Sequence, residues 1–211
     1  MDRLSRSVFK QCSQRCGKMI EIEAEDKPLW CIFLHLTRFD NIMQKIMKVP
    51  YKISVLLYCF DEEDRILLLH RNREPNKGLW SPCGGKLKTE IGESPYGCAV
   101  RELREETGMS VDFKDLHLAG IVSEESYEGS THWLMFLFEV KKKFSALPSP
   151  HSEGIFCFFE KKDLETISVP ETDRKYIWPL FFKYRNGFFA VHSGVNEKNE
   201  IDWILEEGRS Q

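Results

Sequence analysis

One stretch of this 211-residue chain constrains its fold more than any other: the run from Ser94 to Gly108. Ser94-Pro95 is a helix start, because a serine side chain caps free backbone N–H groups and proline suits the first helical position. Gly108 is a stop, since glycine adopts the left-handed conformation that closes helices. Between them Tyr96, Ala99, Val100, Leu103 and Thr107 gather on one side of a 3.6-residue repeat. Such a helix needs an apolar surface to cover. A different face carries Glu102, Glu105 and Glu106, at i, i+3 and i+4. Like charges at that spacing repel, and the helix dipole disfavours anions near its C-terminal end. Arg101 can pair with Glu105 but is a single charge. A hard divalent cation, Mg²⁺ or Mn²⁺, compensates carboxylates better and bridges them to phosphates. Taken alone, the stripe also suits a solvated acidic helix end.

The surroundings supply the surface. Ile53–Phe60 reads as a buried strand, Asp61–Asp64 as a turn, and Arg65–His70 as the second arm of a hairpin. Arg71–Gly78 is a polar loop. After the helix come strands near His117–Ser123 and His132–Val140, a break at Pro148–Pro150, and a strand over Ile155–Phe159. A second helix falls within Glu171–Tyr184. Gly187–His192 and Glu200–Leu205 form a closing hairpin across a Gly/Asn-rich turn. Strands, helix, strands, helix, strands predict an α+β domain with a mixed sheet and a helix on each side. Residues 1–46 show no clear strand–turn pattern and are expected to lie outside the catalytic fold, which occupies 47–211.

Thirty Lys and Arg against 33 Asp and Glu give a net charge of −3. No global basic field is available to hold a nucleic acid polymer. The seven cysteines, at 12, 16, 31, 59, 83, 98 and 157, are odd in number and scattered. Cys12 and Cys16 have no second pair to complete a zinc site. With no apolar h-region at the start and no bilayer-length apolar run, the expectation is a reduced, cytoplasmic protein without membrane or polymer partners.

The segment Gly84–Met109 resembles the Nudix box. That signature is Gly, five residues, Glu, seven residues, then Arg-Glu-hydrophobic-any-Glu-Glu-any-Gly-hydrophobic. Glu93 is followed by seven residues, Ser94–Val100, and then Arg101-Glu102-Leu103-Arg104-Glu105-Glu106-Thr107-Gly108-Met109 matches every fixed position. One departure stands: Lys86–Gly92 puts seven residues between Gly85 and Glu93 instead of five, with Glu90 free to intrude on the site. The resemblance implies the Nudix α/β/α sandwich. It implies that Glu105 and Glu106 are the principal Mg²⁺ ligands, with Glu102 a ligand or close partner. Arg101 would orient a carboxylate, Gly85 would offer backbone contacts, and Glu93 would support the loop–helix junction or the metal's outer shell. Metal-activated water would cleave a P–O–P link. The general base is a box glutamate or a glutamate on a later loop, such as Glu153.

Beyond the box, Met47 to about Glu206 is similar to enzymes that hydrolyse oxidised purine nucleoside triphosphates such as 8-oxo-dGTP, in sanitation of the nucleotide pool. The strings are Leu67-Leu68-Leu69-His70-Arg71, Gly78-Leu79-Trp80, Glu153-Gly154, and Pro170-Glu171-Thr172-Asp173 ahead of Trp178-Pro179-Leu180-Phe181-Phe182. The likeness makes Glu171 and Asp173 candidates to contact the base edge, and Trp80 or Trp178 candidates to stack on a purine. Ser81 stands where some members have Asn. Tyr127, about eighteen residues past the box, suits a dinucleoside polyphosphate hydrolase instead. The proline marking many ADP-ribose hydrolases is missing. A non-catalytic nucleotide-binding module is the reading from another class, opposed by the intact box glutamates.

Overall fold

The computed structural model describes residues 51–127, 131–195 and 201–210. The reading of 1–46 as an extension and the side chain of Tyr127 lie outside the described residues.

The long apolar run becomes strand β1 (Tyr51–Phe60), and its side chains divide between two cores by the two-residue period of a strand. Val55, Leu57 and Cys59 point into one cluster; Tyr58 and Phe60 point into the other. β2 (Ile66–Arg71) returns antiparallel. Two short strands follow, β3 (Trp80–Ser81) and β4 (Cys83–Lys86). Helix α1 spans Pro95–Thr107. β5 (Leu116–Tyr127), β6 (Thr131–Val140) and β7 (Gly154–Phe159) come next. A π-helical turn (Asp173–Ile177) runs into helix α2 (Trp178–Tyr184), and β8 (Phe188–Val195) and β9 (Ile201–Arg209) close the chain.

The main strand order is β3-β2-β1-β6-β5-β8-β9, with β4 added to β1 and β7 to β2. β1 with β6 and β5 with β8 are parallel; the other pairings are antiparallel. The sheet is therefore mixed. Cys98, Ala99 and Leu103 of α1 pack on one face, while Trp178, Phe181 and Tyr184 of α2 pack on the other. This is the α+β sandwich that the element order predicts.

Sequence reasoning and structure part at three places. β3 and β4 were not expected: each is too short to show a period, and both depend on distant partners. The second helix is split, because the π-helical turn precedes α2 and Pro179 occupies its first turn. The closing strand runs on through polar Glu206–Arg209, held by backbone pairing to Phe188–Ala190.

Candidate active site

The helix that carries the acidic stripe has the predicted ends. The Ser94 hydroxyl accepts from the Gly97 N–H at 3.1 Å, and Gly108, at φ 77°, donates its N–H to the Arg104 carbonyl. Its N-terminal approach runs through β4, where two adjacent glycines answer two different needs. A Cβ on Gly84 would run into the Val55 carbonyl oxygen of β1, and Gly84 sits at φ 145°. A Cβ on Gly85 would overlap the Glu102 carboxyl. Gly84 is thus required by the sheet, and Gly85 by the acid on the helix.

The three stripe glutamates are held differently. Glu106 is 6% exposed, and its Oε2 accepts from the Gly84 N–H at 2.9 Å. Burial pushes its carboxyl up to about 7, with the charges of Glu102 and Glu153 adding to the rise. Glu102 is also raised, by burial first, while Arg101 at 2.6 Å opposes the shift. Glu105 is half exposed and rests on Arg101 at 3.0 Å.

Arg101 is the hub. It grips both oxygens of Glu93, at 2.7 and 2.8 Å, and also reaches Glu102, Glu105 and the Lys86 carbonyl. Paired in this way, Glu93 falls to about 2, and it accepts in addition the Lys88 N–H. This ties the loop to the helix across the two-residue insertion. The extra length bulges outward as a 3₁₀ turn at Thr89–Ile91, with Glu90 exposed.

Glu153 precedes β7. Its carboxylate meets Arg71 at 3.3 Å, and its backbone carbonyl accepts from the Asn72 N–H. Its charge is among those that raise Glu106. A cleft of about 150 Å³ runs alongside. Gly84, Gly85, Lys86 and Arg71 line it where the box lies, and Glu124, Trp133, Met135, Pro170 and Asp173 line it elsewhere.

A NUDIX domain model matches residues 50–179, more than half of the chain. The chain belongs to the Nudix family. It is 29% identical to the Nudix hydrolase YvcI of Bacillus subtilis over 114 residues, which is 53% of this chain and 68% of that protein. It is 26% identical to an ADP-ribose pyrophosphatase of Methanocaldococcus jannaschii over 127 residues, covering 60% of this chain and 71% of the other. Among solved structures, the MutT protein of Bacillus halodurans superposes with a TM-score of 0.58 at 22% identity, over 74% of this chain and 97% of that one, a likeness of fold.

Other predicted residues of this Nudix chain are dispersed. Trp80 packs against His70 and Phe159, and Trp178 is buried against Tyr58, Phe181 and Phe182; neither lines the cleft. Glu171 is exposed and paired with Lys175, which lowers its carboxyl, whereas Asp173 lines the cleft. Sequence reasoning missed Glu124, Trp133 and Lys86. Glu124 had a readable signal: it follows Val122 by two residues, so a carboxylate sits on the core face of a strand.

The box carboxylates suit a divalent metal by their chemistry. Among the described residues no three His, Cys, Asp or Glu side chains stand as a preassembled metal cluster. Yet the charges of Glu102 and Glu153 raise the cost of ionising Glu106, carboxylates are hard oxygen donors, and Gly85 lacks the Cβ that would exclude the Glu102 carboxyl. These residues fit Mg²⁺ or Mn²⁺.

No helix of the described residues is long and apolar enough to cross a membrane.

Proposed function

We propose that the protein is a Mg²⁺-dependent pyrophosphohydrolase that converts an oxidised purine nucleoside triphosphate, such as 8-oxo-dGTP, to the monophosphate and pyrophosphate. Its coarser part follows from the family: a Nudix hydrolase acts on nucleotide-type substrates. The observation that carries the finer part is one continuous cleft lined both by Gly84–Lys86 of the box and by Asp173, where the sequence likeness puts a base contact. Phosphates and base then have neighbouring homes along one cleft.

In this reading Glu105 and Glu106, with help from Glu102, would hold Mg²⁺, which when bound would supply positive charge to phosphoryl oxygens and acidify a water. The chain's own groups do the rest. Arg101 keeps Glu102 and Glu105 oriented between turnovers. Arg71 and Lys86, on the cleft wall, face the phosphate charge. Glu153, steadied by Arg71, takes the proton of the attacking water. The attack is in line: a P–O bond forms to water's oxygen as the bridging P–O bond breaks. Gly85 brings its backbone close to the phosphates, and Glu93 keeps the loop closed on the helix. The aromatic beside the base is Trp133, rather than Trp80 or Trp178. Asp173 contacts the base; Glu171 is exposed and tied to Lys175. Residues 1–46 lie outside this domain, and the enzyme works in the cytoplasm.

The test is a panel of 8-oxo-dGTP, dGTP, other triphosphates, dinucleoside polyphosphates and ADP-ribose, ranked by kcat/KM with Mg²⁺. ADP-ribose belongs in it because the M. jannaschii relative is named for that substrate. The expected result is pyrophosphate release, highest for the oxidised purine triphosphate. Preference for ADP-ribose or a dinucleotide would replace this reading. Absence of any turnover would favour a nucleotide-binding module.

A further inference from the structure

A second cavity, of about 410 Å³, adjoins the π-helical turn and shares no lining residue with the cleft beside the box. The turn sends Asp173 and Ile177 to the cleft, whereas Arg174 and the following Trp178 line the second cavity. Lys161 and Glu165 line it from a 3₁₀ turn after β7, and Lys183 lines it from α2. Three cations thus stand around one concavity with a single carboxylate. Lys162 and Lys175 next to them are paired, with Glu160 and Glu171. Lys161, Arg174 and Lys183 make no salt bridge among the described residues. Lys161 rests over the Phe182 ring at 4.2 Å, and Lys183 over the Tyr184 ring at 5.0 Å. Arg174 is fixed from behind: its Nε and Nη2 donate to the carbonyls of Leu164 and Ile167, at 3.2 and 2.6 Å, which leaves Nη1 without a partner among the described residues. Leu164, Trp178, Pro179 and Phe182 supply an apolar lining. In a chain of net charge −3, a local excess of like charge around one cavity carries a cost that an anion offsets.

We propose that this second cavity binds a phosphate monoester, its phosphate on Lys161, Lys183 and the open edge of Arg174 and its organic body on the apolar lining. Charge decides the headgroup. Three cations less one carboxylate leave two positive charges, and a phosphate monoester carries about two negative charges near neutral pH. A guanidinium already held by two carbonyls is a preorganised planar donor for phosphate oxygens, while the lysines act as mobile point charges. The apolar lining decides the rest: inorganic phosphate has the charge but nothing to cover Trp178 and Phe182, and a neutral ring has the reverse. The volume lies in the range of small-molecule sites. A nucleic acid polymer would need a basic field running beyond the cavity, and Glu160 and Glu171 neutralise the next lysines on either side. The site uses no metal and stands whether or not the cleft takes a nucleotide.

The test is calorimetric titration of phenyl phosphate, inorganic phosphate and phenol into the full chain without metal. It is run on the wild type, on the double variant Lys161→Gln/Lys183→Gln, and on Lys141→Gln/Lys142→Gln, which removes the same charge elsewhere. All four lysines are exposed, so both variants should keep cooperative thermal melting. The wild type should bind phenyl phosphate more tightly than either fragment. Lys161→Gln/Lys183→Gln should weaken that binding by about tenfold or more, the scale of losing charged hydrogen bonds, and Lys141→Gln/Lys142→Gln should leave it at the wild-type value. Absence of wild-type binding overturns the proposal. So does undiminished affinity in Lys161→Gln/Lys183→Gln, which would put the ligand elsewhere, or an equal loss in both double variants, which would reduce the effect to net charge. Inorganic phosphate binding as tightly as phenyl phosphate would overturn the assignment to an ester.

Discussion

At the scale of single residues, two adjacent glycines show how far sequence reading reaches. The sequence proposes Gly85 as a backbone contact point, and the structure adds that the Glu102 carboxyl stands where its Cβ would be. Gly84 was legible only as part of a pair, since its need arises from the β1 carbonyl across the sheet. Gly85→Ala should therefore displace Glu102 while leaving β1–β4 pairing intact. We expect kcat/KM to fall by about 10- to 100-fold, the scale of a sub-ångström to ångström misplacement, with little change in melting temperature. A large loss of stability would show that the glycine serves the sheet instead. The buried acids set a second expectation. Glu124 and Asp173 are both pushed up to about 7, each by burial first, with the Glu124 charge adding to Asp173. A carboxyl raised in the folded state contributes stability that is present below its unfolded value and lost as pH rises through about 7. Glu124→Gln removes that loss. Its melting temperature should lie close to wild type near pH 4 and rise above it progressively toward pH 8; a pH-independent offset would contradict the assignment.

At the scale of elements, legibility followed local information. α1 was readable to the residue because Ser94, Pro95 and Gly108 are local signals, and the structure ends the helix at Pro95 and Thr107. Replacing Ser94 by alanine should cost about 1 kcal/mol in urea denaturation, as loss of an N-cap side chain does, and no measurable loss would mean that the loop alone holds the helix start. β3, β4 and the polar end of β9 were not readable. Their existence depends on backbone partners distant in sequence, and hydropathy carries no trace of that. The two-residue insertion was visible as a departure but not in its outcome. The Lys88–Glu93–Arg101 contacts absorb it and send Glu90 outward.

At the scale of the whole molecule, the sandwich brings Gly84–Lys86 of the box and the start of the π-helical turn to line one cleft. The sequence predicted both layers from alternation and helical period, and it proposed a base contact for Asp173, which lines the cleft. It also proposed Trp80 or Trp178 for stacking on a purine, and both pack against other aromatics in the structure, since an aromatic in a core and an aromatic over a base look alike in sequence. Elsewhere, Arg185 after α2 grips Asp64 of the β1–β2 turn through two bonds of 2.8 and 2.9 Å, and Lys143 adds a third contact at 2.8 Å. This clamp holds Asp64 well below the ordinary carboxylate range, led by its bonds to Arg185. Its stabilisation is present above the ordinary carboxylate pKa and is lost in acid.

The central claim is that the acidic stripe of α1 grips a divalent ion that holds a phosphate anhydride. Pyrophosphate release from a purine nucleoside triphosphate, measured with and without Mg²⁺ in the wild type and in Glu105→Gln and Glu106→Gln, tests it most directly. The account predicts Mg²⁺-dependent release by the wild type and a fall of about 100-fold or more in both folded variants, the usual scale for loss of essential metal-site groups. Release that is indifferent to Mg²⁺, or near-normal turnover in both variants, would contradict it.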